Sequence, residues 1–187
     1  MDDRDGMKDR GRSLEEEWAR QWAREAVERL RARRDENEEC RRLAEATGIR
    51  SPELVRRIRE LGLDAESVSL LFLVPMVGIA GADGAVSHAE RARVKELAHQ
   101  GGVARGSYAA AMLDGWLIDP PAGEELDRML AVRRDLVAAL PQDQADAICS
   151  RTLAALEHVG RASGGLFGIG TISRAERTFM AKVAQSI

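Results

Sequence analysis

The residues best suited to bind a ligand lie in a short pattern that the chain carries twice. The first copy, residues 84–91, reads GAVSHAER, and the second copy, residues 170–177, reads GTISRAER. Each copy contains a hydroxyl and a carboxylate spaced as Ser-x-x-Glu: Ser87 with Glu90, and Ser173 with Glu176. Hydroxyl and carboxylate oxygens can cap a helix or coordinate a hard cation. The pattern therefore allows a structural interpretation and a chemical one.

The structural interpretation is a capping box at the start of a helix. In such a box the serine hydroxyl accepts the backbone N–H of the glutamate, and the carboxylate accepts the N–H of the serine. Val86 and Ile172 precede the two serines and fit the hydrophobic staple that accompanies this motif. This interpretation predicts two helix starts and needs no ligand.

The chemical interpretation is a divalent-ion site. Asp83, Ser87 and Glu90 stand at the spacing of positions 5, 9 and 12 of an EF-hand loop. Positions 1 and 3 of that loop would be Ile79 and Gly81, which have no side-chain oxygen. A regular EF-hand is thereby excluded, but an ion such as Ca²⁺ remains an alternative to simple capping.

The second copy is the weaker candidate. Ile169 stands where the first copy has Asp83, so only Ser173 and Glu176 remain as oxygen donors. The candidate metal ligands are Asp83, Ser87, Glu90, Ser173 and Glu176. No residue is assigned a catalytic or an organic-cofactor role.

These segments resemble a known family. Residues 82–98, ADGAVSHAERARVKELA, follow LVPMVGIA and resemble the Ala-Asp-Gly-x-(Val/Ile)-Ser-x-x-Glu-Arg signature of TerB-like domains, which are named for a tellurite-resistance protein. Residues 164–184, GGLFGIGTISRAERTFMAKVA, resemble the second half of the same domain. The resemblance covers about residues 43–187. The second motif departs from the family pattern, because it has Ile169-Gly170 in place of Asp-Gly.

The resemblance implies an all-helical domain of two related halves in a bacterial, cytoplasmic protein of stress and tellurite-resistance systems. It also implies metal binding by the acidic motif, at Asp83, Ser87 and Glu90 and more weakly at Ser173 and Glu176. It implies no enzymatic reaction. We therefore expect a non-enzymatic module that acts through protein partners.

Charge density divides the chain into an arm and a body. We expect a disordered N-terminus over residues 1–12, a charged helical arm over residues 13–47, and the TerB-like domain over residues 48–187. A capping box of Ser13 with Glu16 predicts the start of the arm.

One narrow apolar stripe runs along the arm. Its residues recur every fourth position: Leu14, Trp18, Trp22, Ala26 and Leu30. The stripe could pack on the body of the same chain, or pair with a second copy or another protein. The alternative function is therefore a self-associating scaffold that dimerises through the Trp18/Trp22 helix and binds no metal.

Start and stop signals predict an all-α fold of seven or eight helices, with no convincing strand. Ser51-Pro52 and Gly62 bound one helix, and Ser107 begins another. Pro75 is expected to bend a continuous apolar helix that contains residues 70–80. The charged residues of a later helix, including Arg133 and Arg134, are expected to form a solvated face.

Composition excludes several classes of function. The chain has 28 Lys and Arg against 31 Asp and Glu, a net charge of −3, which argues against nucleic-acid binding. The apolar run 70–80 is too short to span a membrane. We see no secretory signal, so we expect a cytoplasmic protein.

The remaining polar residues suggest no reaction. The two cysteines have no CxxC spacing, and the three histidines are expected on the surface: His88, His99 and His158. The glycine-rich stretch 164–170 lacks the lysine of a P-loop and is expected to be a hinge or a tight crossing.

Overall fold

The computed structural model describes residues 3–162 and 172–185. Within these ranges the chain is helical and contains no strand, which confirms the all-α prediction. The α-helices are α1 Asp3–Thr47, α2 Pro52–Glu60, α3 Val74–Ala80, α4 His88–Gln100, α5 Tyr108–Ile118, α6 Gly123–Ala138, α7 Gln142–Ala162 and α8 Arg174–Gln185. A 3-10 helix, Val68–Leu73, precedes α3.

The chain divides into two units, Met1–Arg42 and Leu43–Ile187. The first unit consists of the greater part of α1, which begins at Asp3. The helix start predicted at Ser13 is therefore wrong, and Ser13 lies inside α1. A capping box acts only where backbone N–H groups lack an intrahelical partner, and inside a helix they have one.

The second unit begins before the predicted boundary at residue 48. Leu43, in the last turns of α1, is fully buried, as is nearly all of Ile49 just beyond the helix. The apolar core of this unit therefore includes the end of α1 as well as α2–α8.

The centre of the second unit is α3, whose seven residues are all buried. Its VPMVGIA sequence has no charged side chain, so it can be covered on every face. It packs against α4, α6, α7 and α8.

Pro75 does not bend a continuous helix, which corrects the expectation from sequence. The 3-10 helix ends at Leu73, and Pro75 lies in the first turn of α3. First-turn N–H groups have no partner within their own helix, so a proline there loses no hydrogen bond. The proline thus marks a helix start.

The packing of two helix pairs is reciprocal. The pair α3–α4 carries the first copy of the repeated pattern, and α7–α8 leads to the second. The two first helices, α3 and α7, pack on each other, while α4 packs on α7 and α8 packs on α3. The second helix of each pair thus packs on the first helix of the other pair, as expected of two related halves.

Matching glycines allow these helices to approach closely. Gly78 in α3 and Gly160 in α7 stand at the same place in the related sequences VGIAG and VGRAS. A Cβ at Gly78 would collide with the ring of Phe179 in α8, and one at Gly160 would lie 3.2 Å from Ile79 Cδ1. A side chain at Gly78 would therefore require Phe179 to move, whereas one at Gly160 would make only a tight contact with Ile79.

Candidate functional site

The first copy of the pattern forms a complete capping box where α4 begins. The chain leaves α3 and turns at Gly84, whose φ of 97° suits glycine. The N–H of Glu90 donates to Ser87 Oγ at 3.2 Å, and the N–H of Ser87 donates to Glu90 Oε2 at 2.8 Å. The structural interpretation of Ser-x-x-Glu is confirmed at this turn.

The second copy has the same geometry at the start of α8. The N–H of Glu176 donates to Ser173 Oγ at 3.1 Å, and the N–H of Ser173 donates to Glu176 Oε2. The loop before this turn, including Ile169 and the glycine-rich stretch 164–170, lies outside the described residues.

Both capping glutamates are buried to an unusual degree. Glu90 is 1% exposed and Glu176 is 2% exposed, although a capping box at a protein surface needs no burial. Carboxylates are rarely buried so completely unless they are paired. The two side chains therefore lie in the interior of the second unit.

The surroundings of Glu90 disfavour its charge. Burial raises the pKa of Glu90 above its ordinary value, and the hydrogen bonds with Ser87 oppose that rise. The negative charges of Asp83 and Glu176 raise the pKa further. Glu176 belongs to the second copy of the pattern, and its effect on the pKa of Glu90 is smaller than that of burial.

Asp83 is placed differently from Glu90. Its side chain is exposed, and its Oδ1 accepts the N–H of Ala85 at 3.4 Å within the turn. Ser87 is exposed as well. The first turn thus combines two accessible oxygen donors with one buried carboxylate, whose Oε2 is already engaged by the backbone.

No group of three or more His, Cys, Asp and Glu side chains is arranged to hold a metal ion in the part of the chain that the structure describes. The divalent-ion site at Asp83, Ser87 and Glu90, with Ser173 and Glu176 in the second turn, stays a prediction. His88, His99 and His158 are exposed, as expected.

Arg133 is a polar residue that the sequence reasoning placed wrongly. Expected on a solvated face, it is 2% exposed, whereas its neighbour Arg134 is exposed as expected. The spacing of Met129, Arg133 and Leu136 along α6 puts Arg133 in a buried stripe. This helical spacing could have indicated that Arg133 is buried, but its charge led to the expectation of a solvent-exposed side chain.

In the first unit, two aromatic side chains one helical turn apart are exposed. Trp18 is 69% exposed and Trp22 is 57% exposed. Large apolar side chains placed together in this way are a feature of interaction surfaces.

No helix in residues 3–162 or 172–185 has the length and apolar character needed to cross a membrane. No family model, curated protein or solved structure matches this chain. The TerB-like resemblance therefore stays a prediction from the motif.

Proposed function

We propose that this protein is a non-enzymatic, TerB-like helical module that acts through protein partners in a bacterial stress or tellurite-resistance system. The proposal includes a cytoplasmic location and a divalent ion, such as Ca²⁺, at the Asp83/Glu90 turn. The observation that carries it is the duplicated capping box with two buried carboxylates, Glu90 and Glu176.

The charge at this place supports ion binding. The ionised form of Glu90 is disfavoured by burial and by two neighbouring carboxylates. A bound cation would offset this negative charge, and Asp83 and Ser87 supply oxygen atoms of the kind that Ca²⁺ and Mg²⁺ prefer. Ser173 and Glu176 are the corresponding donors of the second turn.

Isothermal titration calorimetry with Ca²⁺, Mg²⁺, Mn²⁺ and Zn²⁺ tests this part of the proposal. We expect saturable binding of one of these ions to the wild type and at least about tenfold weaker binding to Asp83→Asn. Asp83 is exposed, so this change keeps the buried capping box intact. Glu53→Gln, which alters an exposed carboxylate on α2, is the matched control. Absence of saturable binding of all these ions would remove the metal site.

The alternative function, a self-associating scaffold without metal, is favoured by the exposure of Trp18 and Trp22. Sedimentation velocity of the full chain over a range of concentrations distinguishes the two. The scaffold predicts a dimer that the double change Trp18→Ala/Trp22→Ala dissociates. Ile118→Ala, which shortens an exposed apolar side chain of α5, is the control. A wild type that is monomeric at every concentration would eliminate the scaffold.

A further inference from the structure

Arg133 is a buried cation without a balancing charge. Its side chain in α6 is 2% exposed, and its Nη2 donates to Thr152 Oγ1 at 2.6 Å. Its Nε is buried and has no hydrogen-bond partner. Among the ion pairs of the described part of the chain, none joins Arg133 to a carboxylate.

A buried guanidinium without an anionic partner is energetically unfavourable. Burying a charge is costly unless it is paired and hydrogen-bonded, and buried donors in native proteins nearly always have partners. Burial lowers the pKa of Arg133, although a guanidinium keeps its proton in proteins. The fold therefore keeps an unneutralised positive charge with an unused N–H in its interior.

Arg133 lines a cavity of about 390 Å³ between α6 and α7. A volume of this size is within the range of small-molecule sites. Half of the rest of the lining is apolar, namely Val137, Ala138, Leu140 and Ala145, and the other half is Arg134, Gln142, Asp146 and Cys149. The cavity thus combines a buried cation, Arg133, with a lining that is partly apolar and also contains the exposed cation Arg134.

We propose that this cavity binds a small monocarboxylate with a short hydrocarbon body, and that Arg133 holds the carboxylate. The site is separate from the proposed ion-binding turn and does not depend on it. A charge-assisted bond would use the guanidinium of Arg133, and the aliphatic side chains of the lining would cover the hydrocarbon part of the ligand.

The one acidic residue of the lining, Asp146, restricts the charge that a ligand can carry. Asp146 lines the same cavity as the cations Arg133 and Arg134 and accepts the side-chain amide of Gln142 at 2.8 Å, which leaves the lining with one net positive charge. It would repel a second negative charge on a ligand. A monoanion with an apolar body fits this lining better than phosphate does.

Cys149 provides a chemical reporter of occupancy. It is a free, partly exposed cysteine in the lining of the cavity, and the other free cysteine, Cys40, lies on α1. Alkylation of both thiols by neutral iodoacetamide can be followed residue by residue by peptide mass spectrometry. The probes are butyrate, its uncharged analogue butyramide, and inorganic phosphate, all at constant ionic strength.

We expect butyrate to slow the alkylation of Cys149 saturably and to leave that of Cys40 unchanged. Butyramide and phosphate should protect Cys149 at least about tenfold less well, because a hydrogen bond to a charged group is worth this factor. Absence of protection, equal protection by butyramide, stronger protection by phosphate, or equal slowing at Cys40 would each overturn the proposal.

Two variants test the role of Arg133. Arg133→Met removes the donor and keeps an extended side chain, so the half-protecting concentration of butyrate should rise by about tenfold. Ala145→Leu fills the cavity without altering the arginine and should abolish protection. This second variant keeps the proposal testable if Arg133→Met does not fold. Arg128→Met, an exposed change on α6, is the control, and unchanged protection in Ala145→Leu would contradict the proposal.

Discussion

Glu90 and Glu176 occupy the same position in two related turns, and both are buried in the interior of the second unit. Each closes a capping box with a serine three residues earlier. Burial raises the pKa of Glu90, and the carboxylate of Glu176 adds to that rise from the opposite half. Each glutamate thus stabilises a helix start, while Glu90 carries an electrostatic cost when ionised.

This cost predicts a pH dependence of stability. The native state holds the Glu90 proton more tightly than the unfolded chain does, because the native pKa is raised from 4.5. The contribution of Glu90 is therefore fully present below pH 4.5 and is lost as the pH rises through the raised native pKa. Glu90→Gln should lack this pH-dependent part of the free energy of unfolding. The difference in the free energy of unfolding between wild type and variant should therefore change with pH.

Urea unfolding at closely spaced pH values measures this difference. The control is Glu53→Gln, which changes an exposed carboxylate on α2 and leaves Glu90 in place, so the loss of stability with rising pH should remain. Parallel profiles for wild type and Glu90→Gln over this range would show that the proton of Glu90 is not linked to folding.

Each of the two serine caps should make a modest contribution to the stability of the protein. Ser87→Ala and Ser173→Ala each remove an acceptor for one N–H at a helix start, and each should lower the free energy of unfolding by about 1 kcal/mol. Chemical denaturation measures the loss, with Ser51→Ala at the ordinary N-cap of α2 as the reference. If Ser87→Ala cost far more than Ser51→Ala, the turn would have a role beyond capping.

Local signals explain why these helix starts were predictable. The side chains of Ser51, Ser87 and Ser107 accept N–H groups three residues later, so the determining contacts lie within one turn of sequence. The burial of Glu90 and Arg133 depends on helices that are distant in sequence, and local pattern carries little information about it. The role of Pro75 was predicted wrongly because an apolar run does not show where a 3-10 helix ends and an α-helix begins.

The close approach of α3 and α8 predicts a specific sensitivity to a methyl group. Gly78→Ala would force the added carbon against the ring of Phe179 and should destabilise the protein by about 1–3 kcal/mol. Gly115→Ala is the matched control, because no atom lies within 4 Å of the added carbon in α5. That control should be neutral or stabilising by up to about 1 kcal/mol.

Thermal and urea unfolding of both glycine variants checks this expectation. A smaller side chain at position 179, in the double change Gly78→Ala/Phe179→Leu, should recover part of the loss because the two sites are in contact. Simple additivity of the two changes would show that the collision is relieved in another way.

The unpaired charge of Arg133 leads to the last prediction. Without ligand, Arg133→Met replaces a buried cation that lacks an anion with an apolar side chain. The decrease in the free energy of unfolding that usually follows substitution of a buried residue should therefore be absent. Thr152 loses one donor but keeps its own bond to the Ile148 carbonyl at 2.8 Å. We expect the free energy of unfolding to stay within about 1 kcal/mol of wild type or to rise. A loss of about 3 kcal/mol or more in urea unfolding would mean that the chain itself neutralises this charge.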